Sequence, residues 1–276
     1  MKKILVKVNN EEELTYPADG YVLGVTRFCI CFNKTFNINE INEIIKKNND
    51  KEIYVSLNKP VFNFEVEEYK NLLLNLDKLG LNGIIVGDVA ALTYDLKTPI
   101  IIDQLHLNNS SLTVKYFLNN GVKGVFLTND ITLDEINKIK DENKNGLLFK
   151  QVFGLPHLSS SVRSLVTNYL SYFGKKSNSK VYKIKERIDD DSYFIVEDYF
   201  GTHILGSKPI NLINELDAIK VDYAIIDGYL LDKKIDNVLK AFLENDVTKR
   251  KEIDEAFNSN EGFINRKTIY KVKNDD

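Results

Sequence analysis

Short runs of Val, Ile and Leu alternate along this chain with segments whose apolar residues recur every three or four positions. The runs read as buried strands: Ile4 to Val8, Tyr21 to Val25, Glu52 to Leu57, Gly83 to Val86, Pro99 to Ile102, Val122 to Leu127, Leu147 to Val152 and Tyr223 to Ile226. Arg27 to Phe32 reads as a further extended segment. The periodic segments predict helices over Ile38 to Lys47, Val66 to Leu79, Ser111 to Leu118, Val162 to Phe173, Ile210 to Ile219 and Ile235 to Leu243. Thr132 to Glu135 carries a capping-box pattern, which starts another helix running to about Lys140. Gly80 and Gly121 mark helix ends.

Continuous apolar strands separated by amphipathic helices indicate a parallel sheet covered on both faces. More than six such units in one chain favour a TIM-like (β/α) barrel of the α/β class. The rhythm breaks at about residues 155–207, which reads as an inserted loop and β-hairpin segment on the barrel. Its hairpin is Val181 to Ile188 with Tyr193 to Val196, joined through Asp189 to Ser192. The barrel is expected over residues 1–246, and residues 247–276 as a C-terminal extension packed on it.

Composition narrows the classes. The chain has 276 residues, is 43% hydrophobic and 28% charged, and carries a net charge of −3, so it has ample core material and no bulk basic field for nucleic acid. Abundant Asn, Ile and Lys match the codon usage of AT-rich bacterial genomes. Two cysteines, Cys29 and Cys31, exclude a disulfide-stapled fold and cannot fill a metal site alone. In an extended run they share a face and read as two small core residues. The apolar start before Asn9 is too short for a signal peptide, and no run reaches 18 uncharged apolar residues. A cytoplasmic protein without a membrane span is expected.

Candidate chemistry sits where strands end. His157 follows Pro156 at a strand's C-terminal mouth, a place for a general acid/base or ligand. Asp227 closes the last strand in the same way. Asp103, Gln104 and His106 follow a third strand, and Asn58 and Asp88 follow two others; each suits a pocket wall or a helix cap. Arg163 is one of five arginines and suits a bidentate clamp on a small anionic co-substrate or a structural ion pair. Ser159 to Ser161 lie near His157, but no nucleophile elbow or acid partner accompanies them, so Ser161 reads as a helix N-cap. Glu197, Asp198 and His203 read as a solvated turn or a metal-binding group.

Several pieces, in order, resemble the collagenase-like peptidases of peptidase family U-32. They are Leu147 to Val152 with Gly154 to His157 and Ser161 to Ser164; Tyr193 to Lys208 (YFIVEDYFGTHILGSK); Val221 to Tyr229 (VDYAIIDGY); and Asn260 to Phe263. The resemblance implies a barrel fold. It also implies participation in hydroxylation of tRNA, ribosomal RNA or ubiquinone precursors, several members holding an iron–sulfur cluster on four cysteines and some acting as pairs of homologous subunits. Gln104 and Asn109 resemble family positions in a polar post-strand segment. Against the family pattern, its signature cysteines fall on His157 and Ser164, and two later ones fall in the cysteine-free stretch Gly174 to Lys180. The strand-end His becomes Phe153, and Ile225, Asp227 and Tyr229 replace a Lys, a Glu and an Arg.

The expected function is a subunit in RNA modification such as hydroxylation, with no iron–sulfur cluster, other cofactor or metal of its own. His157 and Asp227 are its expected catalytic residues, and Arg163, Gln104, Asp103 and Asn58 its substrate-binding residues. RNA, a small anionic co-substrate and a homologous subunit are its expected partners. The alternative is a non-catalytic paralogue that binds a complete homologue. A peptidase is a third reading, without a nucleophile or zinc motif to carry it.

Overall fold

The computed structural model describes residues 2–105, 107–185 and 191–266. In chain order its elements are β1 (Lys3–Lys7), β2 (Gly20–Val25), β3 (Thr35–Phe36), α1 (Ile38–Lys47), β4 (Glu52–Leu57), α2 (Val66–Leu76), β5 (Gly83–Val86), β6 (Ile100–Ile102), α3 (Ser111–Asn119), β7 (Gly124–Leu127), α4 (Leu133–Glu142) and β8 (Leu147–Gly154). There follow β9 (His157–Ser161), α5 (Leu165–Tyr172), β10 (Val181–Lys185), β11 (Ser192–Asp198), β12 (Gly201–Leu205), β13 (Ile210–Asn211), β14 (Tyr223–Asp227), α6 (Asp236–Glu244) and α7 (Arg250–Phe257).

Eight parallel strands close into a barrel in the order β1, β2, β4, β5, β6, β7, β8, β14 and back to β1. The apolar strand runs are divided by the period-two alternation of side chains. Leu5, Val22, Tyr54, Ile85, Ile101, Phe149, Tyr223 and Ile225 fill the interior. Val6, Leu23, Val55, Ile84, Ile102 and Val125 point outward under the helices. Phe149 stacks on Tyr223 at 4.4 Å between centroids, and Tyr54 meets both edge-on, which seals the N-terminal end of the barrel. The C-terminal end stays polar.

The helices start where their caps dictate. Thr132 accepts a hydrogen bond from the Glu135 N–H, and Glu135 accepts one from the Thr132 N–H. Asn37 and Glu40 do the same for α1. Asp88 caps a short 3₁₀ turn through the Ala90 N–H and also accepts from the Val61 N–H, so it is a structural residue.

Three expectations are corrected. Arg27 to Phe32 is a turn and loop, not a strand. Residues 210–219 are not helical: Ile210 and Asn211 pair antiparallel with β8, and turns follow. The Leu212 N–H bonds to the Val152 carbonyl and the Asn211 side chain accepts the Ile213 N–H, which diverts backbone groups from a helix ladder. Ser161 caps no helix; it is in β9, paired with Thr202, and α5 begins four residues later.

The insertion after β8 is larger than a hairpin. β10, β11, β12 and β9 form a four-stranded antiparallel sheet, with α5 between β9 and β10. The hairpin residues 186–190 lie outside the described residues, as do His106 and 267–276. Glu197 accepts the Val166 N–H at 2.8 Å and the Thr167 N–H at 3.0 Å, so this carboxylate caps the N-terminus of α5. Phe257, the last residue of α7, meets Phe153 edge-on at 5.3 Å; past it, Asn260 bridges to Ile210 and the Ile264 carbonyl accepts the Leu133 N–H. Among the described residues, no helix is long and apolar enough to cross a membrane.

Candidate functional site at the barrel mouth

The polar residues at the strand C-termini surround a cavity of about 80 Å³. Lys7, Ser56, Asn58, Asp103, Asn129, Gln151 and Asp227 line it from the barrel, Cys31 and Phe32 from the loop after β2, and His157 and Leu205 from the inserted sheet. The end of β2 is built to admit that loop. A Cβ on Gly24 would lie 2.7 Å from the Phe32 ring and 2.8 Å from the Cys29 sulfur, so only glycine lets the loop fold over the mouth. At the opposite wall Gly154 has φ +123°, and a Cβ there would lie 2.3 Å from the Asp227 carbonyl oxygen.

Asp227 anchors the site. Its Oδ2 accepts from Lys7 Nζ at 2.8 Å, and its Oδ1 accepts from Asn9 Nδ2 at 2.9 Å and from the Tyr229 N–H at 2.9 Å. Burial works against the Lys7 ammonium, but Asp227 foremost, together with Cys31 and Asp103, outweighs it and holds its pKa above the usual lysine value. The ammonium also lies 4.3 Å from the Phe32 ring centroid. Asp103 lacks such a close cation. Burial raises its carboxyl above the usual value, against the Leu105 N–H and the more distant Lys7, so it takes up a proton more readily than an exposed aspartate.

Asn58 has a positioning role. Its Oδ1 accepts the Ile30 N–H at 2.9 Å, which fixes the loop carrying both cysteines. Cys31 holds φ +59°, a left-handed conformation costing of order 1 kcal/mol for a side-chain-bearing residue. Burial pushes both thiols up to about 12.

His157 stands at the edge of the mouth, with Nε2 2.7 Å from Ser160 Oγ. The same hydroxyl lies 2.7 Å from His203 Nδ1, and His203 Nε2 is 3.5 Å from Asp198 Oδ1. The structure thus brings together Asp227, Asp103, Asn58 and His157. Gln104 is half-buried but does not line the cavity. Arg163 is exposed on the inserted sheet's connection to α5, away from the cavity lining.

Sequence reasoning missed Lys7, Asn9, Asn129 and Gln151. Cys31, read as core, is buried against Leu155, Val196 and Leu205, and it also lines the mouth. The legible signal was a polar residue at an inward position of an otherwise apolar strand, as in KILVK and LLFKQVFG. Lys150, beside Gln151, faces the other way. It is buried and donates to the Thr128 carbonyl at 2.9 Å and to Asn129 Oδ1 at 2.5 Å, and burial lowers its pKa to about 7.

The four-thiolate cluster implied by the sequence resemblance does not fit this chain. Cluster ligation takes four thiolates, and the chain has two cysteines, with Cys29 packed under Gly24.

Comparison with known proteins agrees with this architecture. The chain is 30% identical over 239 residues to tRNA hydroxylation protein P2 of Bacillus subtilis (strain 168), covering 81% of this chain and 74% of that protein. It is 23% identical to an uncharacterized protease of Methanocaldococcus jannaschii, over 89% of this chain and 67% of the other. Among solved structures it is similar in fold to the orotidine 5′-monophosphate decarboxylase of Methanocaldococcus jannaschii, with TM-score 0.50 and 12% identity over 89% of this chain and 98% of that one. A solved U32 peptidase aligns over 56% of this chain and 70% of its own, with TM-score 0.48 and 15% identity. The family model for peptidase family U32 matches residues 9–269, and the chain therefore belongs to peptidase family U32.

Proposed function

We propose that this protein is a cytoplasmic component of a tRNA-hydroxylating system and works without an iron–sulfur cluster of its own. The observation that carries this reading is the 30% identity to a tRNA hydroxylation protein over 81% of the chain. The inserted segment supports it, through α5, the loop after it and β10. Residues 163–185 hold six basic residues and no acidic one. Tyr169, Tyr172 and Phe173 are 64%, 85% and 56% exposed beside them. Unpaired bases stack on such aromatics, and lysines follow the phosphates. The net charge of −3 makes this a local contact rather than a whole-surface attraction.

In this reading the inserted sheet carries the RNA and the mouth carries the chemistry. Arg163 pairs with an anionic group, of the co-substrate or of the RNA, at the boundary between them. Asp103 supplies a proton, His157 exchanges one at the rim, and Lys7 and Asp227 fix the charge pattern of the pocket. Nucleoside mass spectrometry of tRNA and rRNA from a deletion strain tests this; an unchanged modification profile sinks it.

A second reading is a non-catalytic subunit that supports a complete homologue. Phe153, Ile225 and Tyr229 favour it, because they stand where the family pattern has a His, a Lys and an Arg. Tagged chain that co-purifies with a four-cysteine homologue, and a modification profile insensitive to Asp103→Asn, would select it.

A further inference from the structure

We propose that Cys31, His157 and His203 bind a single divalent transition-metal ion, with zinc the ion their donors suit best. One ligating atom from each of the three lies within 4.8 Å of the other two. They come from three separate segments, the loop after β2, the start of β9 and the middle of β12, so convergence is a product of the fold and not of local sequence.

The two imidazoles already face one point. Ser160 Oγ lies 2.7 Å from His157 Nε2 and 2.7 Å from His203 Nδ1. Ligands on a tetrahedral zinc, bonded at about 2.0–2.3 Å, stand roughly 3.3–3.8 Å apart, so a closure of roughly 1 Å completes the set. His203 is 2% exposed, and its Nε2 has no hydrogen-bond partner. With Nδ1 on the ion, the Nε2–H turns toward Asp198 Oδ1, now 3.5 Å away, the carboxylate–histidine–metal arrangement that orients a ligating ring. Cys31 is held for the same purpose by Asn58 through Ile30.

One thiolate and two imidazoles are soft-to-borderline donors, which favours zinc over magnesium or calcium. Binding forms a Zn–S bond at Cys31 and breaks its S–H bond; the proton leaves to solvent and no electrons are transferred. Three protein ligands leave one coordination position. Cys31 and His157 line the mouth cavity with Asp103 and Asp227, so that position adjoins the candidate pocket. This departs from the metal-free reading of the sequence, and it replaces the proton-exchange role of His157 with ligation; the tRNA proposal otherwise does not depend on it.

The test uses the full chain, stripped with a chelator and dialysed against zinc or cobalt(II). The expected result is one zinc per chain, about one proton released per zinc in weakly buffered solution, and a thiolate charge-transfer band with cobalt. Cys31→Ser and His203→Ala each weaken zinc binding by about 100-fold or more, whereas Cys29→Ala and Ser160→Ala retain it. Metal-free melting curves confirm that each variant folds. Zinc content far below one per wild-type chain, or tight binding that survives both Cys31→Ser and His203→Ala, overturns the proposal.

Discussion

Lys7 and Asp227 meet at 2.8 Å across the seam where the first and last barrel strands pair, in register with each other. They close the barrel and set the charge of its mouth at once. The side chains are 15% and 10% exposed, so neither is fully compensated by water when its partner is lost. Asp227→Asn keeps acceptors for Asn9 and Tyr229 but strands the ammonium. We expect a loss of about 2–4 kcal/mol in urea unfolding, with Lys7→Met on the same background recovering much of it. Additive losses from the two single changes would mean that the pair is not coupled.

Asp103→Asn separates chemistry from stability. The asparagine can still accept the Leu105 N–H, so the fold is retained. A carboxyl raised by burial is protonated more readily folded than unfolded, and it destabilises the fold as pH rises past its unfolded value near 3.8. The variant therefore gains stability relative to wild type toward neutral pH and matches it in acid, while losing activity. A variant whose relative stability is independent of pH would refute the burial argument.

Lys150 gives the opposite limb of the pH profile. Its pKa falls to about 7 in the fold from 10.5, so between these values the unfolded chain binds more protons and stability rises with pH. Below about pH 7 both states are protonated and the cost is constant. Lys150→Met removes this slope; equal slopes for the two proteins in chemical denaturation between pH 7 and 10 would contradict it.

The basic stretch on the inserted sheet makes a salt-dependent claim. Arg163→Ala, alone or with Lys175→Ala and Lys176→Ala, changes exposed residues and is expected to shift stability by less than about 0.5 kcal/mol. The triple change weakens tRNA binding and lowers the slope of log affinity against log salt by about two to three. Unaltered binding in a filter or polarisation titration removes this surface from the RNA interface.

The barrel was legible because its strands are buried on both faces and its helices carry their own caps. Glu52 to Leu57 and Gly83 to Val86 begin and end where their apolar runs do. The loop at Cys29 and Cys31 was not legible, because its conformation depends on the space left by Gly24 and on the hydrogen bond from the Ile30 N–H to Asn58 Oδ1, 28 residues away in sequence. The inserted sheet hid for a similar reason. β9 is rich in serine, and it becomes a strand only by pairing with β12, more than 40 residues later. Of the mouth residues, Asp227, Asp103, Asn58 and His157 were visible as strand-end polar groups. Lys7 and Gln151 were masked by the apolar runs around them.

The most direct measurement is nucleoside mass spectrometry of bulk tRNA from the source organism, comparing a deletion strain complemented with wild type, with Asp103→Asn, or with empty vector. A catalytic role predicts that a hydroxylated nucleoside disappears in the deletion, returns with wild type and stays absent with Asp103→Asn despite normal protein levels. A tRNA profile unchanged by the deletion would contradict it.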